Sequence, residues 1–390
     1  MVRVHRAKQS MREATMRAGS GTCMVSVTAG LITAWVMSSS GGAQVPQSAA
    51  PCTTAALACT EWVNVAAERQ RLLVYRSYPL DMRNERITRA FVLVHGGGRN
   101  AVDSFNTALG AAFLAGALED TVLVSPRFAS NTGDPSNSTG APCRDTLATD
   151  EANWICEDSR PDSWRNGSGA IGNEKITSFD FADEILRKLA RKDVFPNLKG
   201  IVLGGHSGGG QFTIRYAMAN QTQDRLGVPV TYVVSNPDAL VYLDPLRPTA
   251  AAYPPAASVP GYVLTAPIDR FEPFADAGHC ATYNNWQYGL QGRTGYAAQL
   301  SDEQLKKQIT ARAVTYLLGG LDILPILGFD SSCPAMAQGP TRLARGIAFS
   351  RYMNERYGAR HESIVVPSCG HNDRCMFTAN AALPLIFPKH

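Results

Sequence analysis

The chain has 390 residues, of which 45% are hydrophobic, and a formal net charge of +4 at neutral pH. That length suits one large domain or two small ones. Much of the positive charge lies in the first seventeen residues, so the rest is near neutral, which argues against nucleic acid as the natural partner. Neither an internal repeat nor a long low-complexity run is visible.

Arg3, Arg6, Lys8, Arg12 and Arg17 form a basic region ahead of an apolar stretch, 24–37, that is too short to span a bilayer comfortably. Small and polar residues follow at 38–43. This pattern predicts a signal peptide over 1–43 with cleavage near Ala43, and a secreted or periplasmic product without stable membrane insertion. The basic region is long, which leaves Met11 and Met16 as alternative starts, and an uncleaved membrane anchor is the rival reading. No later stretch is apolar enough to cross a membrane.

Removal of Cys23 with the signal leaves Cys52, Cys59, Cys143, Cys156, Cys280, Cys333, Cys369 and Cys375. An even set fits disulfides in an oxidising compartment. Eight cysteines allow about 105 pairings, so connectivity does not follow from sequence. Short loops suggest Cys52–Cys59, Cys143–Cys156 and Cys369–Cys375, which leaves Cys280–Cys333. No C-x-x-C pair occurs and no two histidines sit at ligand spacing beside a carboxylate, so neither a metal nor a cofactor is expected.

In chain order, 44–70 reads as an N-terminal tether and 71–390 as the folded domain. An alternating strand is predicted at 71–77 and a more apolar one at 89–95. The second runs into His95-Gly96-Gly97-Gly98, a loop able to turn backbone N–H groups toward a developing oxyanion. A helix follows over 101–118 and a buried strand over 121–126. The stretch 127–172 is long, polar and rich in Gly, Asn, Ser and Pro. With Trp154, Trp164 and two cysteines it is expected to be an ordered loop near the site. Residues 179–191 have an amphipathic helical pattern.

Ile201, Val202 and Leu203 then form a short apolar run, the mark of a strand buried on both faces. Ser207 sits within Gly205-His206-Ser207-Gly208-Gly209, a match to G-x-S-x-G, and 211–220 has helical spacing. Strand, tight glycine turn and helix is the context in which that motif means a nucleophile elbow. There the backbone strain lifts the hydroxyl clear of the sheet, and the flanking residues must be small.

A further strand at 230–234 opens into Ser235-Asn236-Pro237-Asp238. The segment 253–300, rich in Pro, Tyr and Ala, breaks the alternation and is read as an insertion over the carboxyl ends of the strands. Ser301 begins a helix to 312, with Asp302 and Glu303 in its first turn. A strand at 313–318 exits through Gly319-Gly320-Leu321-Asp322. A helix over 342–357, a strand over 363–366 and Gly370-His371-Asn372 follow, and 380–387 closes the domain. Buried strands alternating with helices call for a mostly parallel sheet covered on both faces.

The elbow, the His95-Gly96-Gly97-Gly98 loop, the strand-Gly-x-x-Asp at Asp322 and the Gly-His at His371 together resemble the α/β-hydrolases. The likeness covers nearly all of the chain from about residue 71, and secreted esterases and polyester depolymerases are its nearest form. The resemblance implies an α/β-hydrolase sheet with a cap-like insertion and a Ser…Asp…His chain order. Ser207 would be the nucleophile, His371 its base and Asp322 the orienting acid, with the N–H groups of Gly97 and Gly208 as the oxyanion hole. Asp238 also follows a strand and is the main rival acid, with Asp269 and Asp276 more distant. Gly98, His206 and Trp286 are candidate substrate contacts, and Tyr288 with Trp286 is read either as pocket lining or as core. The expected activity is hydrolysis of a small or polymeric carboxylic ester by acylation and deacylation. The alternatives are another bond (peptide, thioester or β-diketone C–C) or a catalytically inactive binding protein on the same fold.

Overall fold

The computed structural model describes residues 50–66, 68–133, 143–156, 160–249 and 270–389. The chain divides into two units, Met1–Gln47 and Ser48–His390, and the first lies outside the described residues, as do the predicted signal peptide, its cleavage near Ala43, and Asp269.

The strands are β1 (Thr60–Asn64), β2 (Arg71–Arg76), β3 (Arg89–Val94), β4 (Thr121–Pro126), β5 (Gly169–Ala170), β6 (Asn173–Thr177), β7 (Gly200–His206), β8 (Val230–Ser235), β9 (Leu246–Pro248), β10 (Phe271–Pro273), β11 (Ala313–Gly319) and β12 (Glu362–Val366). The helices are α1 (Ala101–Leu114), α2 (Ser178–Leu189), α3 (Gly208–Ala219), α4 (Asp302–Ala311), α5 (Cys333–Met336), α6 (Arg342–Tyr357), α7 (Asp373–Thr378) and α8 (Leu383–Ile386). Eight strands form one sheet in the order β1-β2-β4-β3-β7-β8-β11-β12. β2 pairs antiparallel with both neighbours, and every pairing from β4 to β12 is parallel.

The apolar runs explain this architecture. Val92 and Val94 of β3 and Ile201 and Leu203 of β7 enter one core, with Phe181, Ile185 and Leu186 of α2 and Phe212 and Tyr216 of α3. Their neighbours Phe91, Leu93 and Val202 enter a second core, with Phe105 and Ala108 of α1, Phe377 of α7 and Ile386 of α8. Alternate residues of each strand point to opposite faces, so a continuous apolar run needs helices on both sides. α2 opens with a capping box at Thr177 and Asp180, and α4 with one at Ser301 and Gln304, which satisfies backbone donors that the first turn leaves open.

Several expectations change. The segment read as a tether contributes β1, which pairs with β2 along Thr60–Asn64 and belongs to the sheet. Its polar composition hid a strand that buries only Val63. The long polar loop ends in β5, which pairs with β6 just beyond it, and both tryptophans are fully buried core residues. Within the proposed insertion, 250–269 lies outside the described residues. The described remainder sends Trp286, Leu290 and Tyr296 into the main core.

Four disulfides join Cys52–Cys59, Cys143–Cys156, Cys280–Cys333 and Cys369–Cys375. They fit an oxidising compartment. Among the described residues no helix is long and apolar enough to cross a membrane.

Candidate active site

The carboxyl ends of the parallel strands carry the candidate residues. The loop His95–Gly98 follows β3, Ser207 follows β7, Asn236 and Asp238 follow β8, Asp322 follows β11 and His371 follows β12. In open α/β sheets this is the edge where ligands bind.

Ser207 has φ 56° and ψ −119°, a conformation that costs a non-glycine residue about 1–3 kcal/mol and persists only where the surroundings impose it. They do so here. The Ser207 N–H donates to the Ser235 carbonyl at 2.9 Å, and the Ser207 carbonyl accepts from the Gln211 N–H at 3.0 Å. A Cβ on Gly205 would lie 2.2 Å from the Gly209 carbonyl oxygen, and one on Gly209 would lie 2.2 Å from that of Val94. Both flanking glycines are therefore needed for strand and helix to pass this closely. Gly208, the first residue of α3, has an N–H without an intrahelical acceptor. A Cβ added there would lie 3.1 Å from the Gly97 nitrogen, so the two backbone amides are neighbours.

The His95 side chain braces this loop. Its Nδ1–H donates to the Gly96 carbonyl at 2.9 Å, and its Nε2 accepts from the Phe128 N–H at 3.0 Å. Burial pushes the imidazole down to about 4, so it is neutral at pH 7. Trp164 packs edge-on against its ring at 4.8 Å between centroids. Arg99, at φ 56°, ties the loop from below: Nη1 reaches the Gly97 carbonyl at 3.3 Å and Sγ of Cys156 at 3.0 Å, and Nε reaches Asp145 at 2.8 Å.

His371 donates from Nδ1 to Oδ2 of Asp322 at 2.7 Å, and the two side chains are 5% and 1% exposed. Burial, then the positive charge of Arg342, pushes the imidazole down to about 4. Burial pushes the Asp322 carboxyl up, against the pull of Arg342 and His206. Asp238 makes no bond to His371; it holds Arg342 at 2.5 Å. Asp276 pairs with His279 on the surface. Asn236, at φ 44°, accepts from the Gly319 N–H at 2.7 Å and donates to the Gly370 carbonyl at 3.1 Å, joining the exits of β11 and β12.

Ser207 and His371 line one cleft of about 230 Å³ with Gly96, Gly97, Gly98, Asn100, Asp103, Ser104, His206, Leu327, Asn372 and Asp373. His206 and His371 lie 4.5 Å apart between ring centroids. Gly98 and His206 thus line the cleft, whereas Trp286 does not. Its indole N–H donates to the Asn166 carbonyl at 3.2 Å inside the core, and Tyr288 bonds Asp330 at 2.7 Å. Both rings were drawn inward by hydrogen-bond acceptors that composition alone does not reveal. Sequence reasoning also missed Asp103, Leu327 and Asp373 as lining residues. The exposed apolar run at Leu324, Ile326 and Leu327 was a visible signal for one of them. Among the described residues no cluster of His, Cys, Asp or Glu could hold a metal ion.

Two solved structures share the fold at low identity. Poly(aspartic acid) hydrolase-1 from Sphingomonas sp. KT-1 aligns at 18% identity and TM-score 0.52, over 84% of this chain and 97% of that one. LpqC, a poly(3-hydroxybutyrate) depolymerase from Bordetella parapertussis, aligns at 18% identity and TM-score 0.53, over 84% of this chain and 90% of that one. A comparison with curated proteins gives no match. Residues 91–383 match the alpha/beta hydrolase family, and the chain belongs to it.

Proposed function

We propose that this protein is an exported serine hydrolase that cleaves carboxylic esters through an acyl-enzyme. The observation that carries the reading is a strained serine and an aspartate-held histidine lining one cleft. In this reading His371 Nε2 takes the Ser207 proton as Oγ attacks the ester carbonyl. The N–H groups of Gly97 and Gly208 receive the oxyanion, and the protonated imidazole then gives its proton to the leaving alcohol. Water repeats the sequence on the acyl-serine and releases the acid. Asp322 holds the imidazole tautomer and stabilises the imidazolium. The depolymerase and hydrolase names of the two aligned structures support acyl transfer to water, and the four disulfides support export.

The test is labelling by a fluorophosphonate probe together with a screen of p-nitrophenyl esters of rising chain length, beside peptide and β-diketone substrates. Ser207→Ala should abolish labelling and lower ester turnover by several orders of magnitude while the fold persists. Near-normal turnover in that variant overturns the nucleophile. Cleavage of only the peptide or diketone overturns the bond assignment, and a folded protein that neither labels nor turns over any substrate is a binding protein.

A further inference from the structure

Asp238 leaves a strand end in the same part of the sheet as Asp322, yet the proposed chemistry does not use it. Its carboxylate is occupied by Arg342, the first residue of α6, whose side chain is fully buried. Nε donates to Oδ1 of Asp238 at 2.5 Å, and Nη2 donates to Oδ2 at 3.3 Å. Nη1 donates to Oδ1 of Asp322 at 3.4 Å and to the Ile326 carbonyl at 2.9 Å. Nη2 also donates to the Leu327 carbonyl at 3.1 Å. A guanidinium has five N–H groups in a fixed plane, and here each has an acceptor.

This arrangement divides the two oxygens of Asp322. Oδ2 receives His371 and Oδ1 faces Arg342, so rotating the carboxylate breaks both bonds. The same guanidinium pins the carbonyls on either side of the turn into Leu327, a residue at φ 54° that lines the Ser207 cleft. One buried group therefore touches the acid that orients His371 and the wall against which substrate would rest. A buried arginine without Asp238 would lack two of its acceptors, which gives Asp238 a purpose as its brace.

We propose that Arg342, braced by Asp238, is a positioning residue of the active site: it holds the Asp322 carboxylate in the orientation that receives His371 and seats Leu327 in the cleft wall. The inference rests on the Ser207–His371–Asp322 reading above. Lysine keeps the charge but is a point donor with three N–H groups and cannot reproduce the planar fork. Positioning and charge are thereby separable.

The experiment compares Arg342→Lys, Arg342→Met and Asp238→Asn with wild type. Each is checked for a cooperative melt and then assayed on one soluble p-nitrophenyl ester across pH. The His371 ring proton is titrated by NMR in parallel. The charged and titratable groups around His371 are Asp322, Asp238, Arg342 and His206, with Asp373 and Asp103 across the cleft. Arg342→Lys should lower kcat by roughly tenfold to a hundredfold, the cost of a small misplacement, with KM changed by less than about threefold and the His371 titration unmoved. Arg342→Met removes a positive charge, so His371 should titrate at higher pH. Asp238→Asn removes a negative charge, so His371 should titrate at lower pH, with kcat down by about fivefold to tenfold as the brace weakens.

Shifts in opposite directions cannot come from general loosening. Normal kcat in Arg342→Lys overturns the proposal, and so does a His371 titration that stays in place in Asp238→Asn. If Arg342→Met does not fold, the other two variants decide. The NMR titration reads His371 without substrate, so failure of the hydrolase reading shows separately, as absent turnover and absent probe labelling in wild type.

Discussion

His371 donates to Asp322 at 2.7 Å, while Asp238, at the end of the adjacent strand, is turned to Arg342 instead. In the proposed mechanism Asp322 is the orienting acid, and replacing it by asparagine keeps the shape but favours the wrong imidazole tautomer. Asp322→Asn should therefore lower kcat by up to about ten-thousand-fold. Asp238→Asn should cost at least a hundred times less, as a loss of bracing. Both variants are purified, shown to be folded and compared on one activated ester. A crippled Asp238→Asn beside a nearly normal Asp322→Asn would reverse the assignment.

The acid limb of the rate profile should lie low. In the proposed mechanism His371 is the base and must be neutral, and it is pushed down to about 4 from 6.5 by burial and Arg342. A lowered value keeps the neutral form at lower pH, so kcat/KM should stay level from pH 7 through 6.5 and fall toward about 4. Stability falls in the same direction, beginning at higher pH. His95 is also pushed down to about 4, so the unfolded chain binds more protons than the native state between about 4 and 6.5. That contribution is fully present above 6.5 and is lost as pH falls through the window. Initial rates at each pH, with circular dichroism on the same samples, separate the two effects. A limb at 6.5 or above in folded protein contradicts the prediction.

Two disulfides staple the loops of the site. Cys369–Cys375 brackets His371, and Sγ of Cys156 in Cys143–Cys156 accepts from Arg99 beneath the glycine loop. Replacing Cys143 and Cys156 together by serine should cost about 2–4 kcal/mol in stability, and kcat should fall as well. Thiol titration of the unfolded, unreduced protein should find none of the eight described cysteines free. Finding them all free would contradict the oxidising compartment.

The turn around Ser207 should tolerate no added methyl. In Gly209→Ala the new Cβ would lie 2.2 Å from the Val94 carbonyl oxygen and 2.6 Å from that of His95. Backbone cannot yield cheaply there, so a loss of about 3 kcal/mol or more is expected, or failure to fold. Gly98→Ala meets nothing within 4 Å and should melt within about 0.5 kcal/mol of wild type. Equal melting temperatures for the two variants would refute the packing argument.

Charge in the cleft should select substrates. Asp103 and Asp373 line it, and among the described residues no lysine or arginine lines it, although the Arg165 guanidinium packs behind Gly208. Esters that carry a carboxylate should be hydrolysed roughly tenfold less efficiently than neutral isosteres at low salt. The gap should narrow at high salt, where the screening length shrinks to about 3 Å at 1 M. Asp373→Asn should also narrow it. A preference for the anionic ester would show that the acidic side chains do not govern entry.

The fold was legible in the sequence because its causes are local. Continuous apolar runs such as 201–203, short and ended by glycines, fit a strand buried on both faces, and a glycine turn between strand and helix leaves little choice of conformation. The helix beginning at Arg342, the N-cap at Ser301 and the short-loop disulfides follow from neighbouring residues for the same reason. What remained open depends on partners distant in the chain. Asp322 and Asp238 have nearly the same local surroundings, and only the packing of α6 beside both strand ends decides which one meets His371. Trp286 has the composition of a pocket residue, but the Asn166 carbonyl, 120 residues away, draws it into the core. Arg342 carries no sequence mark at all. Its five acceptors come from four residues in three separate loop segments, and a buried guanidinium is defined by what the tertiary structure brings around it.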